Sequence, residues 1–269
     1  MRQLYVFGTG HALVTRLYNS CFAVQENQRF LLLDAGGGNG ILNAMEAMHV
    51  PCAALDSLFV THSHTDHLLG AVWVIRLVGE SIINGSYPGV FTIYAHPELL
   101  DGLRTICAIT ISQKLQRLFQ QQICFLPVSD GQTCQTPLGA LTFFDTGCPT
   151  VRQFGCRLRF ADGQTLVYLG DDPVHPCAEP YVRNADWFLA EALCLDTERQ
   201  LHRPDLSYHS TVKEACENAA RLGVRRLVLC HTEDTHGPQR EALYLAEGRR
   251  SFPGPLYMPE DRTTLPLLP

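Results

Sequence analysis

Three histidines and an aspartate stand within six residues, at the end of a largely apolar stretch. The stretch covers residues 57–60, and the four side chains are His62, His64, Asp66 and His67. The apolar run predicts a short buried strand, and His62 and His64 project to one side if the extended geometry persists. Neutral imidazole and carboxylate are ligands for zinc, manganese or iron. A polar surface turn is the alternative, but four donors at this spacing favour one or two divalent ions, zinc before manganese or iron.

Further candidates lie at the ends of other apolar stretches. Residues 165–170 predict a strand that ends in Asp171, and residues 224–230 predict one that ends in His231. Glu191 interrupts the apolar run 185–192 and needs an explanation, because a glutamate is seldom buried without a partner. His209 stands just before a predicted helix, where the positive end of the helix dipole favours bound anions.

Length and composition restrict the class of protein. The 269 residues fit a single α/β domain over residues 1–269, and 46% hydrophobic residues are enough for a sizeable core. No run of 18 apolar residues predicts a membrane helix, and no secretory leader is evident, so we expect a cytoplasmic protein. A net charge of −6 argues against a broad surface for long nucleic acids. The 11 cysteines are odd in number and lie mostly in apolar stretches, which predicts reduced core residues.

Strands and helices alternate in two rough halves, with the candidate donors at strand ends. The longest helix is expected over residues 98–122, where apolar positions form a broad face that could cover a sheet or form a homodimer interface. An apolar helix is expected near residues 68–79. Thr211 and Glu214 have the spacing of a capping box, which predicts a helix that ends at Gly223.

The motif His62-Ser63-His64-Thr65-Asp66-His67 after a buried strand resembles the metal motif of the metallo-β-lactamase superfamily. The N-terminal Phe7-Gly8-Thr9-Gly10 is similar to the ribonuclease Z-like phosphodiesterase branch. Asp34 before three glycines resembles the element that orients the histidine loop, and a turn-capping aspartate is the alternative. The resemblance implies an α/β fold, the four-layer αββα sandwich, with one active site along an edge.

The resemblance also implies a set of metal ligands and catalytic residues. One ion would be held by His62, His64 and Asp171, and the other by Asp66, His67, Asp171 and His231. A metal-bound hydroxide would be the nucleophile. His209, held by Glu191, would protonate the leaving group, as its counterparts do in ribonuclease Z-like enzymes. The candidate catalytic residues are thus His209, Glu191 and Asp66.

The sequence departs from the superfamily pattern at the third histidine ligand. The position aligned with that ligand is Gly147, and Cys148 next to it could bind as a thiolate. A structural cysteine is the alternative, and His175 is a further candidate donor. In ribonuclease Z a long arm that grips transfer RNA is inserted at this point of the chain. Here only residues 149–170 are available, and this segment is too short to form such an arm. We therefore expect a small anionic substrate, and transfer RNA is not the first choice.

Three functions remain open at this point. A small phosphodiester is the first choice, because the arm is missing and the predicted charge is negative. A thioester or another acyl substrate is the alternative within the enzymes, since the same hydroxide attacks a carbonyl carbon. Loss of the third histidine could instead leave a metal-poor ligand-binding or sensor protein of the same fold.

Overall fold

A computed structural model describes residues 2–268 of the chain. Two seven-stranded sheets form its centre. The strands of the first sheet are β1 (Gln3–Gly8), β2 (Cys21–Glu26), β3 (Arg29–Leu33), β4 (Leu55–Phe59), β5 (Phe91–Ala95), β6 (Ile123–Pro127) and, from the C-terminus, β14 (Thr263–Pro266). Those of the second are β7 (Thr133–Thr136), β8 (Gly139–Asp145), β9 (Phe154–Arg159), β10 (Thr165–Tyr168), β11 (Trp187–Glu191), β12 (Arg226–Cys230) and β13 (Leu256–Tyr257).

The two sheets repeat one pattern of strand directions. The first runs β14-β1-β2-β3-β4-β5-β6 and the second β13-β12-β11-β10-β9-β8-β7. In the first sheet β14, β1, β2 and β3 pair antiparallel, and β3, β4, β5 and β6 pair parallel. In the second sheet β7 to β10 pair antiparallel, and β10 to β13 pair parallel. Each half therefore places the carboxyl ends of its parallel strands at one edge.

Helices cover the outer face of each sheet. They are α1 (Gly40–Ala47), α2 (Thr65–Ile83), α3 (Pro97–Thr110), α4 (Gln113–Gln116), α5 (Glu179–Val182), α6 (Arg199–His202), α7 (Pro204–Ser207), α8 (Val212–Arg221) and α9 (Arg240–Gly248), with 3₁₀ turns at Cys52–Ala54, Asp196–Glu198 and Gly237–Gln239. None of the helices within residues 2–268 is long and apolar enough to cross a membrane.

Three apolar clusters hold the four layers together. The central cluster joins the facing sheets, with Phe22 and Phe59 from one sheet and Phe143 and Tyr168 from the other. A second cluster packs α1, α2 and α3 on the first sheet, and a third packs α8 and α9 on the second. The layer order is thus helix, sheet, sheet, helix, which confirms the predicted α/β four-layer αββα sandwich.

The helix expected over residues 98–122 is wrong in its extent. Helix α3 ends at Thr110, Ile111 is extended with φ −108° and ψ 138°, and a short α4 follows. The Gln116 side chain donates to the carbonyls of Ala108 and Ile111 at 3.1 and 2.6 Å. The Gln116 side chain thus pairs with backbone carbonyls that a continuous helix would pair internally. The break in the helix therefore costs little free energy.

The longest helix is α2, with 19 residues. It extends beyond the predicted residues 68–79 at both ends, and His64 is its N-cap. Asp66 and His67 therefore lie in its first turn. The capping box at the start of α8 is confirmed, because Thr211 and Glu214 each accept from the other's backbone N–H.

Candidate metal centre

Four chain segments from both sheets bring the donors to one edge. The segment after β4 carries His62 and His64, and the first turn of α2 carries Asp66 and His67. The segments after β10 and β12 carry Asp171 and His231. Both sheets end their parallel strands at this edge, so residues far apart in the sequence converge there.

Glycine is required where the two halves meet. Gly170 has a positive φ of 77°, and a Cβ there would lie 2.7 Å from Gln153 Nε2 and 3.0 Å from Thr61 Oγ1. His231 has a positive φ of 55°, a backbone conformation that residues other than glycine rarely adopt. Such conformations cluster at functional sites, where the surrounding structure enforces them.

The donors form two trios joined by one carboxylate. Within each trio the ligand atoms lie within 4.8 Å of one another; the trios are His62, His64 and Asp171, and Asp66, His67 and His231. Asp171 Oδ1 lies 3.5 Å from His62 Nε2, whereas Oδ2 lies 3.7 Å from His67 Nε2 and 3.6 Å from His231 Nε2. The two oxygens of Asp171 therefore face different trios.

The donor atoms fit a divalent ion. His62 Nε2, His67 Nε2 and Asp66 Oδ2 are buried without a hydrogen-bond partner. Buried polar atoms are normally paired, so a group that accepts their lone pairs explains this arrangement. Separations of 3.3–3.7 Å between donors also suit neighbouring ligands of an ion whose bonds are about 2.0–2.2 Å long.

Asp34 fixes the orientation of the histidine loop. Its Oδ2 accepts from His67 Nδ1 at 2.7 Å and from the Tyr168 hydroxyl at 2.8 Å, and its Oδ1 accepts from the Thr61 backbone N–H at 2.8 Å. Because Nδ1 of His67 donates to a carboxylate, Nε2 is the atom that faces the site and can bind an ion once it has lost its proton. Thr61 Oγ1 lies 3.0 Å from His62 Nδ1 in the same network. The predicted role of Asp34 is confirmed.

Replacing Asp34 with asparagine should lower metal affinity about 10–100-fold, as loss of a partner that orients a ligand usually does. The amide keeps the volume but can no longer accept from His67, Tyr168 and Thr61 with a full negative charge. Competition with a chromophoric chelator measures the change. Asp56, a carboxylate paired with Arg29 on the same sheet, is the matched control; equal affinity loss in Asp34→Asn and Asp56→Asn would contradict the assignment.

Burial and neighbouring carboxylates set the protonation of the ligands. Burial lowers the pKa of His62 to about 4 and holds the pKa of His231 well below its usual value. Both rings are therefore neutral at pH 7 and able to bind an ion. Burial opposes ionisation of Asp171, but four surrounding histidines outweigh it and hold its pKa well below the usual range. Burial also lowers the pKa of His67, whereas Asp34 and Asp171 raise it above its ordinary value.

His209 lies beside the trios, on the segment between α7 and α8. Its ring centre is 5.1 Å from that of His231, and its Nδ1 donates to the Asp171 carbonyl at 3.0 Å. Glu191 Oε2 is farther from Nδ1, at 3.7 Å, while its Oε1 accepts from the Ser210 backbone N–H at 2.6 Å. The hydrogen bond to the His209 ring therefore comes from the Asp171 carbonyl, while Glu191 contacts the ring at ion-pair distance and also holds the adjacent backbone.

The other expected donors lie apart from the trios. Cys148 Sγ contacts Thr150 Oγ1 at 3.4 Å, and His175 Nε2 lies 3.3 Å from Asp172 Oδ1. Neither belongs to a donor group among residues 2–268. Gly147 has a φ of 81°, and a Cβ there would lie 2.6 Å from Cys177 Sγ. A histidine at position 147 would thus be strained and would start toward Cys177, and the alignment of this position with the third histidine ligand stays a prediction.

The two trios should therefore bind metal with different strengths. One ion would have four donors, from Asp66, His67, His231 and Asp171. The other would have three, from His62, His64 and Asp171. We expect the first zinc ion to bind at least about tenfold more tightly than the second, because an ion with fewer protein ligands is held less firmly. Calorimetric zinc titration measures both constants. His231→Ala should remove the tight step and His62→Ala the weak one; two equal constants would contradict this difference.

Sequence reasoning missed the residues that support the ligands. Thr61 stands directly before the histidine motif, so its position in the sequence could have identified it. Tyr168 reaches Asp34 across the interface between the sheets, a distance of 134 positions in the chain, so no local pattern indicates it. Tyr208 lines a small cavity together with His209 and was also not predicted as a site residue.

Comparison with known proteins places this geometry in a family. The Beta-lactamase superfamily domain profile matches residues 29–232. The ribonuclease Z of Thermobifida fusca (strain YX) is 32% identical, and the alignment covers 97% of this chain and 93% of that protein. The aligned length, 311 positions, exceeds the 269 residues of this chain, so that relative contains segments with no counterpart here.

Solved structures share the fold. The metallo-beta-lactamase fold protein YhfI from Bacillus subtilis has a TM-score of 0.77 at 19% identity over 98% of both chains. A diphosphatase from the PhnP family has a TM-score of 0.72 at 18% identity, over 98% of this chain and 97% of that one. With the donor cluster, the family and its ribonuclease Z relatives identify a metal-dependent hydrolase. The chain belongs to the β-lactamase superfamily and, within it, to the homologues of ribonuclease Z.

Proposed function

We propose that the protein hydrolyses a small phosphodiester at the edge site, with one or two divalent ions, zinc first, held by the two trios. The observation that carries this proposal is the position of Asp171. Its two carboxylate oxygens face separate trios, and its backbone carbonyl accepts from His209. One residue thus links the ligands of both ions to the candidate general acid.

The bound ions would lower the pKa of a water molecule to near neutrality and would stabilise negative charge on the phosphoryl oxygens. The protein residues supply position and a proton. Asp34 and Thr61 fix the rings of His67 and His62, so their Nε2 atoms point into the site. Asp66, in the first turn of α2, adds a carboxylate at 3.3 Å from His67 Nε2.

His209 is the proposed proton donor to the leaving oxygen. Because its Nδ1–H is directed at the Asp171 carbonyl, Nε2 is the atom that can hold and release the second proton. Burial lowers the pKa of His209 in the free protein, and Asp171 opposes that effect. An anionic phosphodiester nearby would favour the imidazolium form further, which suits a donor that becomes active when substrate is present.

The chain beside the site favours a small substrate over transfer RNA. A small cavity adjoins the donors, lined by His64, Asp171 and His209 among others. Between β8 and Asp171 the chain forms only a loop and the hairpin of β9 and β10, so no protruding arm stands there. The net charge of −6 offers little attraction to a polyanion.

The metal-loaded protein should be assayed with an alkyl p-nitrophenyl phosphate, a p-nitrophenyl thioester and a transfer-RNA precursor. We expect turnover of the phosphodiester that disappears with a chelator and returns with zinc. Turnover of the thioester alone would replace this proposal with an acyl hydrolase. Cleavage of the precursor with a much higher kcat/KM would show that the small-substrate assignment is wrong.

A further inference from the structure

A second cavity lies between helices α2 and α3, apart from the metal donors. Its volume is about 240 Å³, and none of the residues of the two trios lines it. One wall is a face of α2 that carries Leu69, Val72, Trp73 and Arg76. Steps of three or four residues place side chains on the same side of a helix. We call this space the α2–α3 cavity.

The opposite wall is formed where helix α3 ends. Ile106 and Thr110 of α3 and the extended Ile111 line it. The Thr110 hydroxyl donates to the Ile106 carbonyl at 2.6 Å, and the Gln116 side chain donates to the Ile111 carbonyl at 2.6 Å. These bonds fix the wall before any ligand binds, which reduces the entropy lost on binding.

The lining of the cavity is largely apolar and includes a tryptophan. Leu69, Val72, Ile106 and Ile111 contribute aliphatic side chains, and Trp73 is 39% exposed. An apolar cavity of roughly 150 Å³ is large enough to bind benzene. The larger α2–α3 cavity therefore admits an aromatic ring or a chain of roughly eight carbon atoms.

The charged residue that lines the cavity is Arg76. It makes no hydrogen bond or ion pair within residues 2–268, although Glu80 stands one turn further along α2. By contrast, Arg240, which lines another cavity, pairs with Glu260 at 3.3 Å. An arginine without a protein partner beside an apolar cavity favours a carboxylate or phosphate that carries an apolar group, because the guanidinium fork matches either anion.

The cavity adjoins the metal motif through the glycine loop after β3. Gly37 lines the cavity, and a Cβ at Gly37 would lie 3.5 Å from the Asp66 Cα and 3.5 Å from the Thr65 carbonyl oxygen. Helix α2 carries Asp66 and His67 in its first turn and the cavity wall in the turns that follow. The cavity and the metal centre therefore share one helix.

We propose that the α2–α3 cavity binds a small amphipathic anion, with its carboxylate or phosphate on Arg76 and its apolar group against Trp73. The site is separate from the one that hydrolyses the substrate, so this inference does not depend on the proposed function. Each methylene removed fully from water should tighten binding up to about fourfold, and partial burial makes about twofold the expected gain. The contact with the guanidinium should add about tenfold over a neutral head group.

Tryptophan fluorescence shows where the ligand binds. The chain has two tryptophans, and the other one, Trp187, is buried in the central cluster. The probes are octanoate, octyl phosphate, 1-octanol and butanoate. Octanoate should shift the emission to shorter wavelength and bind at least about tenfold more tightly than 1-octanol or butanoate. In Trp73→Phe the shift should disappear, while calorimetry still detects binding.

Substitution of Arg76 tests the charge. Arg76→Gln should remove the advantage of octanoate over 1-octanol, and Arg76→Lys should keep most of it. Arg117, an exposed arginine that does not line the cavity, is the matched control, and Arg117→Gln should bind octanoate as the wild type does. Whichever of octanoate and octyl phosphate binds more tightly identifies the head group.

Three results would overturn the inference. Octanoate binding that Arg76→Gln leaves unchanged would place the anion elsewhere, for example at the metal centre. Equal binding of octanoate and 1-octanol would remove the role of the charge. Light scattering that shows a dimer, dissociated by Trp73→Glu, would assign this face to a second copy of the chain.

Discussion

Replacing Asp171 with alanine is expected to have the largest effect of any single substitution. The trio of His62, His64 and Asp171 loses a member, and the other trio loses the carboxylate oxygen that faces it. Metal affinity should fall by more than the roughly 100-fold expected for an orienting residue, and phosphodiester turnover by about 10³-fold or more.

Metal analysis after gel filtration measures the first effect, and initial rates at fixed zinc measure the second. Asp172 is the matched control, a buried carboxylate one position along the chain that lies outside the trios. Asp172→Asn should retain metal. If Asp171→Ala kept full metal content while its circular dichroism was unchanged, the bridging assignment would be wrong.

The second large effect is expected from His209→Ala, and its size should depend on the leaving group. An alkoxide is a poor leaving group until it is protonated, so loss of the acid should slow an alkyl phosphodiester about 10²–10⁴-fold. Bis-p-nitrophenyl phosphate releases an anion that is already stable, and it should lose less than about tenfold. Parallel rate measurements on the two esters test the difference.

Metal content separates this role from another that the geometry permits. His209, Asp171 and His231 also offer donor atoms within 4.8 Å of one another. A general acid leaves metal content unchanged when it is removed, whereas a ligand lowers it. Equal losses on both esters, accompanied by loss of metal, would make His209 a ligand and not the proton donor.

The parts of the site that follow from local sequence pattern could be predicted from the sequence. Asp66 and His67 follow an apolar run in a recognisable spacing, and Asp171 and His231 stand directly after other apolar runs. Parallel strands place their ends at one edge, so convergence of these donors follows from topology. The capping box at Thr211 is equally local, since its partners are three residues apart.

Features that depend on packing between distant segments could not be predicted from local sequence pattern. The link from Tyr168 to Asp34 crosses the two sheets, and the carbonyl that fixes His209 belongs to a residue 38 positions earlier. The end of α3 at Thr110 depends on a side chain reaching back from α4. The position of Gly147 against Cys177 likewise depends on two loops that meet only in the fold.

Anomalous diffraction at the zinc edge, from crystals of the zinc-loaded protein, tests the central claim most directly. The account predicts a strong peak among Asp66, His67, Asp171 and His231, and a weaker one against His62 and His64 with Asp171 between them. Zinc-loaded crystals with no anomalous peak near Asp171 would contradict it.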